Sequence, residues 1–216
     1  MRMCGRSYIK FANCMMTSAK IERSPHRFMN TKIMSNPIYY LPGAGGLLHT
    51  GLGSGLISRG FEPRGRETVG EFRRLRFGEQ VDLIAQDLQQ DFWEPTARVI
   101  ANSFGGYLFL HALAQMPAFP GKALVLSPIV GEFSNEETMN FFSPPCSGKL
   151  QRIVADGLYP RPISCEIHVG ELDWQSIPAN VLSFAQPLNI PVTIAPRRGH
   201  MLGEDYIGPL LDRWLE

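Results

Sequence analysis

Apolar residues occur along this chain in short runs that are separated by longer segments of helical period. Residues 38–41, 122–127, 163–169 and 191–195 are mostly apolar runs bounded by turn-forming residues, which is typical of buried strands. Segments with helical spacing of apolar residues lie at 47–59, 81–93, 105–116, 176–186 and 207–214. The pattern therefore predicts strands that alternate with helices.

Alternation of this kind extends over about 180 residues. It predicts an α/β fold with a doubly wound, mostly parallel sheet and helices on both of its faces. In such sheets the functional groups collect at the carboxyl ends of the strands. Candidate functional residues are therefore expected directly after the strands.

Two stretches interrupt the alternation. Residues 60–77 are rich in arginine, and residues 68–72 are predicted as a short strand; nearby glutamates favour a solvated, ion-paired face over a site for an anionic substrate. Residues 129–162 form an insert that is too small for a domain, and we expect a small lid with one short amphipathic helix. The apolar face of that helix consists of Leu150, Ile153 and Val154.

The segment 98–106 reads RVIANSFGG and predicts a strand, a sharp turn and the start of a helix. A nucleophile elbow places its serine on a strained turn and needs very small residues two positions before and two after it. Ala101 and Gly105 occupy those positions around Ser103. Ser103 is therefore the candidate nucleophile, and the amide of Phe104 is expected to face the same space.

A glycine-rich loop, GAGG, follows the first predicted strand. Neither GxGxxG nor GxxxxGK[ST] is present, so a nucleotide site is not expected. A loop without side chains also lets a backbone amide approach a reacting carbonyl closely. We expect the amide of Ala44 to act as such a donor.

Ser103, Asp173 and His200 each follow a predicted strand, in that order. Together with the segments LPGAGG, ANSFGG, GELD and RRGH, this order resembles the α/β-hydrolase superfamily over residues 36–216. The resemblance implies a catalytic triad in which His200 is the base and Asp173 orients it. It also implies an oxyanion hole made of two backbone amides.

Several of these residues have other interpretations. Asp173 also suits the N-cap of the following helix, and Glu171 is a second candidate for the acid. His111 lies about two turns beyond the candidate nucleophile, and we interpret it as structural. Ala101 stands where the superfamily most often has glycine, and alanine is small enough for the elbow.

Charge and composition exclude several classes of function. A net charge of +1 gives no support for nucleic acid or an anionic membrane surface as a partner. No apolar run reaches the length of a membrane-spanning helix.

Residues 1–34 hold seven of the 21 Lys and Arg residues and one acid, so we expect residues 1–35 to be a basic, disordered extension. Disorder is compatible with both an organellar presequence and an over-extended gene start, and we favour the second, because Met34, as the true first residue, would stand directly before the first strand.

The cysteines show no C-x-x-C spacing, which favours free thiols in a reducing compartment over a disulfide framework or a metal site. We therefore expect a cytoplasmic protein. The four cysteines are Cys4, Cys14, Cys146 and Cys165.

These expectations converge on a serine hydrolase of small ester-type substrates, either carboxylic esters or thioesters, that works through an acyl-enzyme. The partner is a small-molecule acyl substrate with a short acyl group, and no metal or organic cofactor is implied. An acyltransferase, a peptidase or a C–C bond hydrolase with the same triad is an alternative, as is a non-catalytic binding module of the same fold. The sequence does not determine the oligomeric state.

Overall fold

The structure of the protein is a computed structural model that describes residues 36–135 and 140–216. Six strands form one sheet in the order β2-β1-β3-β4-β7-β8, and every neighbouring pair in it is parallel. The prediction of a mostly parallel sheet is therefore confirmed. The strands are β1 (Asn36–Leu41), β2 (Phe61–Gly65), β3 (Arg98–Asn102), β4 (Lys122–Leu126), β5 (Phe133–Asn135), β6 (Asn140–Phe142), β7 (Ser164–Gly170) and β8 (Val192–Ala195).

Successive side chains of a strand point to opposite faces of the sheet, and here each face has its own apolar cluster. Tyr39 and Leu41 lie in the cluster that holds the buried residues of α3, α4, α5 and α6, whereas Ile38 and Tyr40 lie in the one closed by α1 and α7. The prediction of helices on both faces is confirmed. The helices are α1 (Leu52–Ile57), α2 (Gly70–Arg74), α3 (Phe77–Asp91), α4 (Phe104–Leu113), α5 (Lys149–Ala155), α6 (Pro178–Ala185) and α7 (Glu204–Leu215).

The segment between α1 and α3 differs from the sequence prediction. The strand lies at Phe61–Gly65, and residues 70–72 of the strand predicted over 68–72 belong to α2 instead. Because β2 is at the edge of the sheet and only Pro63 is buried in it, the strand tolerates a proline and charged neighbours. It consequently shows no apolar alternation that the sequence could reveal.

In its described residues the insert contains one helix, α5, as predicted, and also an antiparallel hairpin of β5 and β6 that was not predicted. Leu150 and Val154 of α5 are buried in the same cluster as Val181 and Phe184 of α6. The apolar face of α5 therefore packs against the core and anchors the insert there. The role of the insert as a lid stays a prediction.

Predictions about residues 1–35, including those about Cys4 and Cys14, lie outside the described residues. Cys146 and Cys165 are free thiols, and burial raises the pKa of Cys165 to about 12. In the two described ranges, no helix is long and apolar enough to cross a membrane. The cytoplasmic location stays a prediction.

Candidate active site

Ser103 joins β3 to α4 with φ 53° and ψ −119°, a backbone conformation that is strained for a residue with a side chain. Its amide donates to the carbonyl of Leu126, which continues the pairing of β3 with β4 into the turn. A Cβ atom at Gly105 would lie 2.4 Å from the carbonyl oxygen of Leu41, so only glycine fits there. Ala101 is fully buried in β3, and its methyl group belongs to the core. Ser103 therefore lies on a strained strand-to-helix turn with small residues two positions before and two positions after it.

His200 lies in the loop between β8 and α7, and its ring reaches the turn that holds Ser103. The Ser103 Oγ is 2.8 Å from His200 Nε2, which is hydrogen-bond distance. The side chain of His200 is 14% exposed, so the imidazole is covered on most sides while the site still opens to solvent. A hydroxyl and a ring nitrogen so placed can exchange a proton directly.

Asp173 follows β7 and lies on the other side of the imidazole. Both carboxylate oxygens are 3.0 Å from His200 Nδ1. The carboxylate is completely buried, and Oδ1 also accepts hydrogen bonds from the amides of Gln175 and Ser176 at 3.0 and 2.8 Å. These contacts fix the carboxylate in one orientation. A hydrogen-bonded chain therefore connects Asp173, His200 and Ser103.

The loops after β7 and β8 lie against each other because Gly170 has no side chain. A Cβ atom there would lie 2.3 Å from the carbonyl oxygen of Gly199 and 2.4 Å from that of Arg198. The amide of Leu172 donates to the carbonyl oxygen of Arg198 at 2.7 Å and links the two loops. This close approach brings Asp173 and His200 within hydrogen-bond distance.

Glu171, the alternative acid, is exposed and has a different partner. Its Oε2 accepts a hydrogen bond from the amide of Arg197 at 2.8 Å. Of the two carboxylates after β7, only Asp173 contacts the imidazole of His200 in the described residues.

The two amides predicted as oxyanion donors belong to the elbow and to the glycine-rich loop beside it. Phe104 is the first residue of α4, so its amide has no acceptor within the helix. The loop that carries Ala44 lies next to Ser103, since a Cβ atom at Gly43 would be 3.1 Å from the Cβ of Ser103. Among the described residues, neither amide donates a backbone hydrogen bond to a turn, loop or cap. Both amides could therefore donate to another acceptor.

Thr68 is a residue of this region that the sequence did not reveal. Its hydroxyl donates to the carbonyl of Gly43 and accepts from the amide of Gly46, so it holds the glycine-rich loop from the side. In the sequence it is one threonine within an arginine-rich stretch of no clear period. No local signal marks a residue whose partners lie more than 20 positions away.

Aromatic side chains of the insert lie next to the loop that carries Asp173. The ring of Phe133 contacts those of Phe142 and Trp174 with centroid distances of 4.9 and 5.7 Å. Trp174 directly follows Asp173 and is 43% exposed, and Phe142 is 44% exposed. The surface beside the loop that carries Asp173 is therefore apolar and accessible.

The remaining candidate residues have structural surroundings. His111 is buried against the rings of Phe77 and Tyr107, at 4.9 and 4.4 Å, and burial lowers its pKa to about 4. Arg59, Arg64 and Arg66 form ion pairs with carboxylates, as expected of an ion-paired face. Within the part of the chain that is described, no group of three or more His, Cys, Asp or Glu side chains is arranged to hold a metal ion.

No protein-family model and no curated protein sequence matches this chain. Solved structures do resemble it. Carboxylesterase CesB (YbfK) from Bacillus subtilis superposes with a TM-score of 0.55 at 12% identity, covering 84% of each chain. The ydeN gene product of B. subtilis gives 0.57 at 12% identity, over 84% of this chain and 99% of that one. MGS-MChE2, an alpha/beta hydrolase enzyme from a lagoon-sediment metagenome, gives 0.55 at 16% identity, over 84% and 90%. At these identities the likeness concerns the fold.

Proposed function

Since this chain has the α/β-hydrolase fold, we propose that it is a serine hydrolase of small ester-type substrates, carboxylic esters or thioesters. The observation that carries the proposal is the hydrogen-bonded chain from Asp173 through His200 to Ser103, set on a strained strand-to-helix turn. A buried carboxylate, an imidazole and a hydroxyl in this order form the arrangement that activates serine for attack on a carbonyl.

The reaction begins when the Ser103 Oγ attacks the carbonyl carbon and His200 Nε2 takes the hydroxyl proton. Asp173 keeps the proton on Nδ1 and stabilises the imidazolium that forms. The amides of Phe104 and Ala44 donate to the oxyanion of the tetrahedral intermediate, and one such donor contributes roughly 10²-fold to 10³-fold to kcat.

The intermediate collapses when its bond to the leaving group breaks, and the imidazolium returns its proton to the leaving oxygen or sulfur. An acyl-enzyme on Ser103 remains. His200 then deprotonates a water molecule, which attacks the acyl carbon and releases the carboxylic acid with Ser103 restored. None of these steps requires a cofactor.

A fluorophosphonate probe tests the proposal, because it labels only an activated serine. We expect Ser103→Ala to abolish labelling and ester hydrolysis while the thermal midpoint changes little. His200→Ala should lose a comparable factor, because members of a triad act as a unit. Ser127→Ala is the matched control: Ser127 is also a buried serine at positive φ directly after a strand of the same sheet, and this variant should retain labelling. Labelling that persists in Ser103→Ala would refute the assignment.

A further inference from the structure

Thr68 holds the glycine-rich loop with both its side chain and its backbone. It is 4% exposed, and its hydroxyl bridges the Gly43 carbonyl and the Gly46 amide, the latter at 2.9 Å. Its own amide donates to the carbonyl of Gly46 at 3.1 Å, and its carbonyl accepts from the amide of Gly45 at 3.3 Å. The loop is therefore fixed from one side by a single buried residue.

The loop itself is a four-residue turn closed by a hydrogen bond of 2.9 Å from the Gly46 amide to the Gly43 carbonyl. Gly45 has φ 77°, the conformation that a type II turn requires at its third position. Ala44 is the second residue of this turn. The Gly43 carbonyl thus accepts from Gly46 within the turn and from the Thr68 hydroxyl outside it.

Planarity of the peptide bond connects these contacts to the candidate oxyanion donor. The Gly43 carbonyl and the Ala44 amide belong to one trans peptide unit, in which the C=O and N–H bonds point in opposite directions. A hydroxyl that holds the carbonyl therefore also sets the direction of the amide. The same peptide lies against the nucleophile, since a Cβ atom at Gly43 would come within 3.1 Å of the Cβ of Ser103.

We propose that Thr68 is a positioning residue for catalysis, whose hydroxyl orients the Ala44 amide toward the developing oxyanion. The proposal rests on the proposed serine hydrolase function. It predicts a role in the transition state and not in substrate binding, because an oxyanion donor acts most strongly on charge that develops during attack. Thr68 itself contacts no substrate atom in this role.

Two substitutions distinguish the effect of the Thr68 hydroxyl from the effect of the rest of the side chain. Thr68→Val keeps the shape and removes the hydroxyl, whereas Thr68→Ser keeps the hydroxyl. We expect Thr68→Val to lower kcat about 10-fold to 10²-fold and to leave KM within about two-fold of wild type. Complete loss of an oxyanion donor lowers kcat by at least roughly 10²-fold, so a donor that is only misdirected should cost no more than that. Thr68→Ser should restore kcat to within about three-fold of wild type.

Tyr159→Phe is the matched control, because it also removes a buried hydroxyl that donates to a backbone carbonyl, that of Leu110 at 2.9 Å. This variant should lower the thermal midpoint and leave kcat unchanged. The proposal is overturned if Thr68→Val retains kcat, if only its KM rises, or if Thr68→Ser is as impaired as Thr68→Val.

Wild-type protein is assayed first with the fluorophosphonate probe and a short-chain ester. Absence of labelling and turnover in wild type refutes the serine hydrolase itself. A labelled, active wild type with an unimpaired Thr68→Val variant refutes the positioning role alone. The two failures are therefore distinguishable.

Discussion

At the scale of single residues, two carboxylates lie within three positions of each other after β7 and have different surroundings. Asp173 is buried and contacts the imidazole of His200, with its Oδ1 also bound by two amides. Glu171 is exposed and accepts from the amide of Arg197. Burial and partners therefore favour Asp173 over Glu171 for the proposed orienting role, while Glu171 links the loops after β7 and β8.

Replacement of these carboxylates by amides tests that assignment. Asp173→Asn should lower kcat by roughly 10³-fold to 10⁴-fold, because an amide in this position favours the wrong tautomer of His200. Glu171→Gln keeps an acceptor for the Arg197 amide and should stay within about three-fold of wild type. Steady-state kinetics of both variants decide the matter. A silent Asp173→Asn beside a damaging Glu171→Gln would transfer the acid role to Glu171.

The sequence sufficed to bring Ser103, Asp173 and His200 together, since each directly follows a strand and parallel strands end at one edge. It did not reveal why Gly170 or Thr68 matters. The constraint on Gly170 is the backbone of residues 198 and 199, and the partners of Thr68 lie in residues 43–46. Contacts between distant segments leave no periodic signal in a single sequence.

At the scale of elements, α4 carries a titratable group in its most buried part. His111 is 1% exposed, and among the described residues its Nε2 has no hydrogen-bond partner. Burial first, and Lys149 second, lower its pKa to about 4 from an ordinary value near 6.5. Protonation of this imidazole therefore opposes the folded state.

The consequence is a loss of stability in acid. In the unfolded chain His111 binds a proton near pH 6.5, and in the folded protein only near pH 4, so the unfolded state holds more protons between these values. The free energy of unfolding should therefore fall as the pH drops through this window, by at most about 3 kcal/mol from this residue, and level off below it.

His111→Phe, which suits the neighbouring rings of Phe77 and Tyr107, should reduce this dependence. The comparison is urea unfolding of wild type and variant at about pH 7.5 and about pH 5. Some dependence in the same direction should persist, because burial also lowers the pKa of His168. An equal loss of stability in both proteins would contradict the role of His111.

Elements differ in how well the sequence predicts them. In α3 the residues Val81, Ile84 and Leu88 recur at helical spacing and are buried on one face, so this helix was predictable. The hairpin of β5 and β6 consists of strands of three residues each, too short for any alternation to be visible. Short or edge elements are set by pairing partners and not by their own pattern.

At the scale of the whole molecule, the insert limits the apolar surface that a substrate can reach. Leu150 and Val154 of α5 are buried in the core and cannot be reached by a substrate, whereas Phe142 of the insert and Leu172 and Trp174 of the loop after β7 are exposed. An added methylene gains about 0.8 kcal/mol, roughly four-fold in kcat/KM, only while it still finds surface to cover. We therefore expect short acyl groups to be preferred in uncharged esters.

An ester series of increasing acyl length, with and without a carboxylate on the leaving group, measures this preference. We expect kcat/KM to level off or fall after the first few carbons and to be insensitive to the carboxylate. Phe142→Ala should change the length profile, whereas Leu158→Ala, which removes another exposed apolar side chain of the insert, should not. A rise that continues through long chains would show a deep pocket instead.

The last helix covers the face of the sheet that the first half of the chain builds. Ile38, Ile100 and Leu124 are buried there against Leu211 and Trp214 of α7. During synthesis about 90 residues separate the end of β4 from the end of α7. At ribosomal rates of elongation, α7 is therefore completed on the order of 5 to 20 s after β4, and until then it cannot cover this face. For that interval the nascent chain presents an apolar surface to solvent or to a chaperone, and a ribosome that stalls before α7 leaves it uncovered.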